Sequence, residues 1–174
     1  MSDMSSKIML ILDETLKKSN IKLNDIDKIM VVNGPGSFTG IRVGVTVAKT
    51  IAWSLKKDII PISSLELIAT TKSNRKYIVP AIDARRGNVF CGVYDQDLNS
   101  IMHDKLMSLE NLKDFIDDNY ELVSYDDIEE SIKPDINILK LINKHISDIP
   151  VNPHKLNPSY LKLTEAEETR LKND

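Results

Sequence analysis

The chain has 174 residues, enough for one domain or two small lobes, and its 41% apolar content excludes general disorder. A net charge of −3 excludes a protein whose main work is gripping nucleic-acid phosphates with a basic stripe. The single cysteine, Cys91, excludes an internal disulfide, and no apolar run approaches the roughly 20 residues needed to span a bilayer.

Met1 to Lys7 has no basic stretch followed by an apolar one, so no signal peptide is read there, and the expected compartment is the cytoplasm. Ser5 to Lys18 reads as an amphipathic helix with Ile8, Met9, Leu12 and Leu16 on one stripe. Lys28 to Val32 is a compact β-prone run that Asn33 to Ser37 stops sharply. Ser37 or Thr39 caps the next helix, expected from about Phe38 to Lys56. Asp58 to Ile62 is a second strand, and Pro61 marks it as an edge or an end. Ser63 with Glu66 forms a capping box that opens a helix to about Thr71. This α-β-α-β-α order favours a parallel sheet with crossover helices.

The pattern changes after Lys72 to Arg75. Tyr77 to Asp83 and Asn88 to Tyr94 are strand-like, and the short Ala84 to Gly87 link makes them a hairpin. Helices are expected at Leu109 to Asp117 and at Asp135 to Lys144. The implied division is a first lobe over residues 1–73, a second over 74–150, and a proline-bearing tail over 151–174.

Asn33, Gly34, Pro35, Gly36, Ser37, Phe38, Thr39 and Gly40 form a glycine loop between a strand and a helix. Such a loop can aim backbone N–H groups at an anion. The glycine spacing is not that of a dinucleotide fingerprint, and the next strand ends at Ile62-Ser63 with no acidic residue to hold a ribose. No Gly-Lys-Ser/Thr follows to make a P-loop. The remaining reading is structural: glycines permit a tight strand-to-helix turn.

The following helix repeats small residues every four positions, at Gly40, Gly44, Ala48 and Ala52. They share a face, and small residues let another helix approach closely. That helix belongs either to the same lobe or to a partner. Val43, Val47, Ile51 and Leu55 lie opposite, and Trp53 suits a core or a partner surface.

Catalytic chemistry is hard to find. His103, His145 and His154 are scattered, without metal-ligand spacing, and no G-x-S-x-G elbow occurs. Cys91 sits among apolar neighbours and reads as a buried, inert thiol. Asp83, Arg85 and Arg86 form one compact charged cluster, in which Arg85 either clamps an anion or pairs with Asp83 to fix the turn.

The run Gly34-Pro35-Gly36-Ser37-Phe38-Thr39-Gly40-Ile41-Arg42-Val43-Gly44 resembles the TsaB (YeaZ) family. Ala48-Lys49, Ser63 to Glu66, Asp83 to Gly87, Pro158 to Lys162 and Glu165 to Glu167 follow in the family's order, so the resemblance runs along nearly the whole chain. It implies an α/β fold with two lobes, like the actin, sugar-kinase and Hsp70 ATPases, with a reduced second lobe. It implies a non-catalytic scaffold with no cofactor, which pairs with the TsaD threonylcarbamoyltransferase that modifies adenosine 37 of tRNA. A TsaE-like ATPase joins the pair, a homodimer is the other state, and tRNA is met only through the complex. The partner interface implied is the helix pair Ser5–Lys18 and Phe38–Lys56, with Ile8, Leu12, Leu16, Gly40, Gly44, Ala48 and Ala52. Members of the family begin with further strands, so the expectation is a first lobe whose sheet keeps only Lys28–Val32 and Asp58–Ile62. The rival reading is a peptidase-like or acyltransferase enzyme related to TsaD, or a nucleotide-binding module built on the glycine loop.

Overall fold

The computed structural model describes residues 4–161. The described chain forms two compact units that divide between Ser64 and Leu65, and Leu139–Pro158 returns to the first.

The first unit begins with α1 (Met4–Lys18) and a 3-10 turn at Leu23–Asp25, then β1 (Lys28–Gly34), α2 (Phe38–Leu55) and β2 (Asp58–Ser63). β1 and β2 pair in parallel, with Lys28 opposite Asp58 and Val32 opposite Ile62. A two-stranded parallel pair is too small to stand alone, so it depends on the helix packed on its face. α2 supplies that cover: Val31, Val45, Ala48, Ala52, Ile59 and Leu156 form one buried cluster, with Ile29, Ile41 and Val151 against it.

The domain division differs from the expected one. It falls before Ser73, and Leu139–Pro158, read as the end of the second lobe and the start of a tail, rejoins the first unit. The physical cause is main-chain pairing: Val151 donates its N–H to the Ile59 oxygen at 2.9 Å, extending the sheet beyond β2. Leu156 then enters the core cluster, and Lys28 Nζ holds the Ile146 oxygen at 2.6 Å. Residues 162–174, which include the end of the expected tail, lie outside the described residues.

The second unit opens with α3 (Ser64–Ala69) at the dividing line. Its helix stops before the expected Thr71 because the hydroxyls of Thr70 and Thr71 bond back to the oxygens of Leu67 and Ile68. These side chains take over carbonyls that a longer helix would have used. β3 (Tyr77–Arg85), β4 (Asn88–Asp95), β5 (Ser100–Ser108) and β6 (Tyr120–Val123) form a mixed sheet in the order β5-β4-β3-β6. β3–β4 and β4–β5 are antiparallel, and β3–β6 is parallel. The expected hairpin is present, and its core is Val79, Ala81, Val89, Cys91, Val93, Leu112, Leu122 and Ile128.

β5 and β6 are additions to the sequence reading. β5 hides its alternation because Asp104 stands among its inward positions, where its carboxylate accepts the Tyr94 hydroxyl at 2.6 Å. β6 has four residues, too few to show a period. α4 (Leu109–Phe115) is capped by Ser108, whose hydroxyl accepts the Asn111 N–H at 3.1 Å. α5 (Ile138–His145) begins later than the expected Asp135. The N–H groups of Asp135 and Asn137 are already held by the hydroxyls of Thr71 and Thr70, at 3.2 and 2.9 Å.

Candidate functional site

The glycine loop is built as a strand-to-helix turn. Gly34 and Gly36 have φ of 122° and 152°, a region that other residues rarely enter, so glycine is required at both. The Gly34–Pro35 peptide is cis. Ser37, of the two expected caps, takes the role: its hydroxyl accepts the Gly40 N–H at 3.4 Å and its main-chain oxygen accepts the Ile41 N–H at 2.9 Å. Asn33 donates to the Asn157 oxygen at 3.4 Å, tying the loop to the returning segment. Gly34 and Pro35 are buried, while Phe38 and Thr39 are exposed. The Arg42 guanidinium lies 3.8 Å from the centre of the Phe38 ring, a cation–π contact at the start of α2.

The small-residue row on α2 is not one surface. Ala48 and Ala52 are buried in the unit's own core, whereas Gly40 and Gly44 are half-exposed. The reason is helical geometry. At 3.6 residues per turn each four-residue step advances about 40°, so the row turns by about 120° between positions 40 and 52. Its C-terminal half therefore faces β1 and β2, and its N-terminal half faces away. Ala48 and Ala52 leave the expected partner interface for this reason. A Cβ added to Gly44 would meet nothing within 4 Å, so the surface above it is open. A Cβ added to Gly40 would lie 3.5 Å from the Ser37 hydroxyl and 3.9 Å from Met4 Sδ, which places the start of α1 beside the start of α2.

α1 has no buried residue. Ile8, Leu12 and Leu16 are half-buried, turned toward the rest of the unit, while Met9, placed on their stripe by the sequence, is exposed. The side chains presented to solvent are Met4, Met9, Leu10 and Ile11, with Leu10 and Ile11 58% and 62% exposed. Sequence reasoning missed Leu10 and Ile11 because it looked for a single stripe. The signal was available in the four consecutive apolar residues Ile8 to Ile11, which overfill one helical face.

The hairpin cluster fixes a turn through main-chain groups. Asp83 Oδ1 accepts the Arg85 N–H at 2.8 Å, and Asp126 Oδ2 accepts the Asp83 N–H at 2.7 Å. Arg85 and Arg86 both take positive φ, 66° and 56°, before Gly87 at 72°. Their carbonyls accept from the Asn88 amide at 3.5 and 3.2 Å. Cys91 is fully buried, and burial pushes its thiol up to about 11, with Lys105 lowering it and Asp104 raising it less strongly. His103 lies on β5, His145 ends α5 beside Asp148 at 2.6 Å, and His154 packs on Trp53, so the structure does not bring the three together. Among the described residues no group of three or more His, Cys, Asp or Glu could hold a metal ion, and no helix is long and apolar enough to cross a membrane.

Comparison with known proteins places this fold. A family model described as TsaD, tRNA N6-adenosine threonylcarbamoyltransferase, matches residues 2–146. The tRNA threonylcarbamoyladenosine biosynthesis protein TsaB of Bacillus subtilis (strain 168) is 43% identical over 91 residues, 52% of this chain and 40% of the relative. The chain belongs to the TsaD-type family, within its TsaB/YeaZ group.

The Escherichia coli (strain K12) TsaB is 33% identical over 102 residues, 57% of this chain and 44% of the relative. These matches thus span less than half the length of those two relatives. A solved structure of YeaZ from Pseudomonas aeruginosa superposes with a TM-score of 0.75 at 17% identity, covering 90% of this chain and 84% of that one. A second Pseudomonas aeruginosa structure, of a protein described as similar to peptidase YeaZ, gives 0.76 at 19% identity, with 90% and 83% covered. The α/β fold with its parallel pair and mixed sheet is therefore that of the YeaZ structures.

Proposed function

We propose that this chain is a non-catalytic scaffold that activates a TsaD-like threonylcarbamoyltransferase in forming N6-threonylcarbamoyladenosine on tRNA adenosine 37. The observation that carries this reading is the α1–α2 pair. α1 buries no residue, offers Leu10 and Ile11 to solvent, and lies beside an α2 whose Gly44 has open space above it. An exposed apolar helix beside a site without a side chain is suited to close helix–helix packing. The curated TsaB relatives, named for tRNA threonylcarbamoyladenosine biosynthesis, support the pathway. In this reading the two units are the lobes of an actin/sugar-kinase/Hsp70-like fold, working in the cytoplasm, with a TsaE-like ATPase as third member and a homodimer as the alternative pairing.

The test is co-purification with the TsaD-like protein of the same organism. The parent chain is expected to bind. Ile11→Asp and Gly44→Leu are each expected to lose binding while the chain stays folded, with a denaturation midpoint for Gly44→Leu no lower than the parent's, since neither site is in the core. A parent that fails to bind, or an Ile11→Asp variant that binds as well as the parent, would sink the reading. The enzymatic alternative is favoured by the description of the matching family model, and it predicts threonylcarbamoyl transfer by this chain without a partner.

A further inference from the structure

The C-terminal end of α2 and the returning segment at 150–154 flank an open cleft of about 850 Å³ within the first unit. The chain's single tryptophan, Trp53, stands at its edge and is 61% exposed. Exposure of an indole is costly, because its large apolar surface gains most from burial. Its position is nevertheless set: the His154 ring meets it edge-on, with centroids 5.6 Å apart and planes at 70°. An edge-on neighbour leaves a face of the indole for a further planar group.

The charges around the ring have one dominant sign. Lys56, Lys57 and Asp58 line the cleft, so two basic residues stand there against one acidic residue. A smaller, adjoining cleft adds Lys49 beside Trp53. Lys49 and Lys57 are held in place by main-chain oxygens, of Leu156 at 2.6 Å and Asn24 at 2.8 Å. Lys56 is exposed and closes α2 in the left-handed conformation, φ 52° and ψ 44°, with its N–H on the oxygens of Ala52 and Trp53. Helices commonly place glycine at such a terminus, and a lysine there is strained. This cap places Lys56 along a cleft that exposes an aromatic face. This local excess of positive charge occurs in a chain of net charge −3.

A planar face beside the exposed Lys56, with Lys49 and Lys57 adding positive charge nearby, matches one chemistry well: an unpaired nucleobase that stacks while its phosphate meets the Lys56 ammonium group. We propose that this cleft binds single-stranded RNA, with one base on Trp53 and the adjoining phosphate at Lys56. The site lies at the C-terminal end of α2, about half a turn around the helix from Gly44, and it asks for no protein partner. It supplies one direct RNA contact, which accords with the chain's acidic balance, since a single stacked base needs no basic stripe.

Because Trp53 is the sole tryptophan, its fluorescence reports the site directly. Titration of the full chain with a short adenine RNA oligonucleotide at low salt is expected to give saturable quenching that weakens as salt rises. Lys56→Glu is expected to weaken binding about tenfold, and Trp53→Ala, followed by anisotropy of a labelled oligonucleotide, by a similar factor. Both side chains are exposed, so circular dichroism and the melting temperature should match the parent. The proposal is overturned by absence of saturable quenching below millimolar RNA, or by an affinity unchanged in Lys56→Glu. Equal binding of a duplex of the same length would overturn the stacked base. Stronger quenching by an acidic peptide than by RNA would make the cleft a peptide site and overturn the RNA assignment. Loss of co-purification with a TsaD-like protein would leave these outcomes untouched, so failure of the scaffold reading and failure of this one are distinguishable.

Discussion

The two units solve the same packing problem with unequal resources. In the second, a four-stranded mixed sheet carries Val79, Ala81, Cys91 and Val93 at essentially zero exposure, and Leu112 of α4 closes over them. In the first, two parallel strands rely on α2, and α1 adds no buried residue at all. The second unit has enough strands to build a core of its own. The first leaves apolar side chains in solvent on α1 and an open surface at Gly44. Surface of that kind is where a protein of this size is expected to meet another molecule.

The widest separation between the units should appear on truncating a core leucine and an exposed one. Leu112→Ala is expected to cost about 2–5 kcal/mol, because it leaves a cavity in a packed core. Leu10→Ala should stay within about 0.5 kcal/mol in the isolated chain, since Leu10 is largely solvated. Chemical denaturation measures both, and a Leu10→Ala cost approaching that of Leu112→Ala would erase the contrast.

Within α2 the same contrast is drawn along one helix. Ala48→Leu should destabilise by about 1–3 kcal/mol through overpacking, because Ala48 is enclosed by Val31, Val45 and Ile59. Gly44→Ala should stabilise by about 0.5–1 kcal/mol, because the added methyl meets open space and the helix loses its most flexible residue. If thermal melting gave the two substitutions the same sign, the turn of the small-residue row would be misplaced.

A further effect concerns Cys91 and confines itself to alkaline pH. Burial raises the thiol from its ordinary 9.0 to about 11. Below 9.0 the group is protonated in folded and unfolded chains alike, so its contribution there is constant. Between 9.0 and about 11 the unfolded chain ionises while the folded one does not, and stability falls as pH rises through that window. Cys91→Ala should flatten this part of the profile, read as the denaturation midpoint at about pH 8 and about pH 10. An equal slope in the variant would remove Cys91 as its cause.

Much of the first unit was legible because its signals are local. A strand, a glycine turn, a capping hydroxyl at Ser37 or Thr39 and an apolar-rich helix follow one another within a few residues, and each depends on near neighbours. The hairpin of β3 and β4 was legible for the same reason, since Gly87 and the short link specify the turn. β5 was not, because Asp104 interrupts its alternation and is accommodated only by Tyr94 on the adjacent strand. The start of α5 was hidden too, since the hydroxyls that hold Asp135 and Asn137 belong to residues far earlier in the chain.

The sequence by itself determined the α/β class, the glycine turn, the two central helices and the family resemblance, because residue type, spacing and local caps carry them. Tertiary structure alone decided which faces those elements bury. It drew Ala48 and Ala52 into the core and left Gly44 open, since a four-residue row turns around its helix and only the sheet says which half faces inward. It also returned Val151 and Leu156 to the first unit through a main-chain bond to Ile59. Such a bond depends on where two distant backbones lie, and side-chain pattern does not encode it.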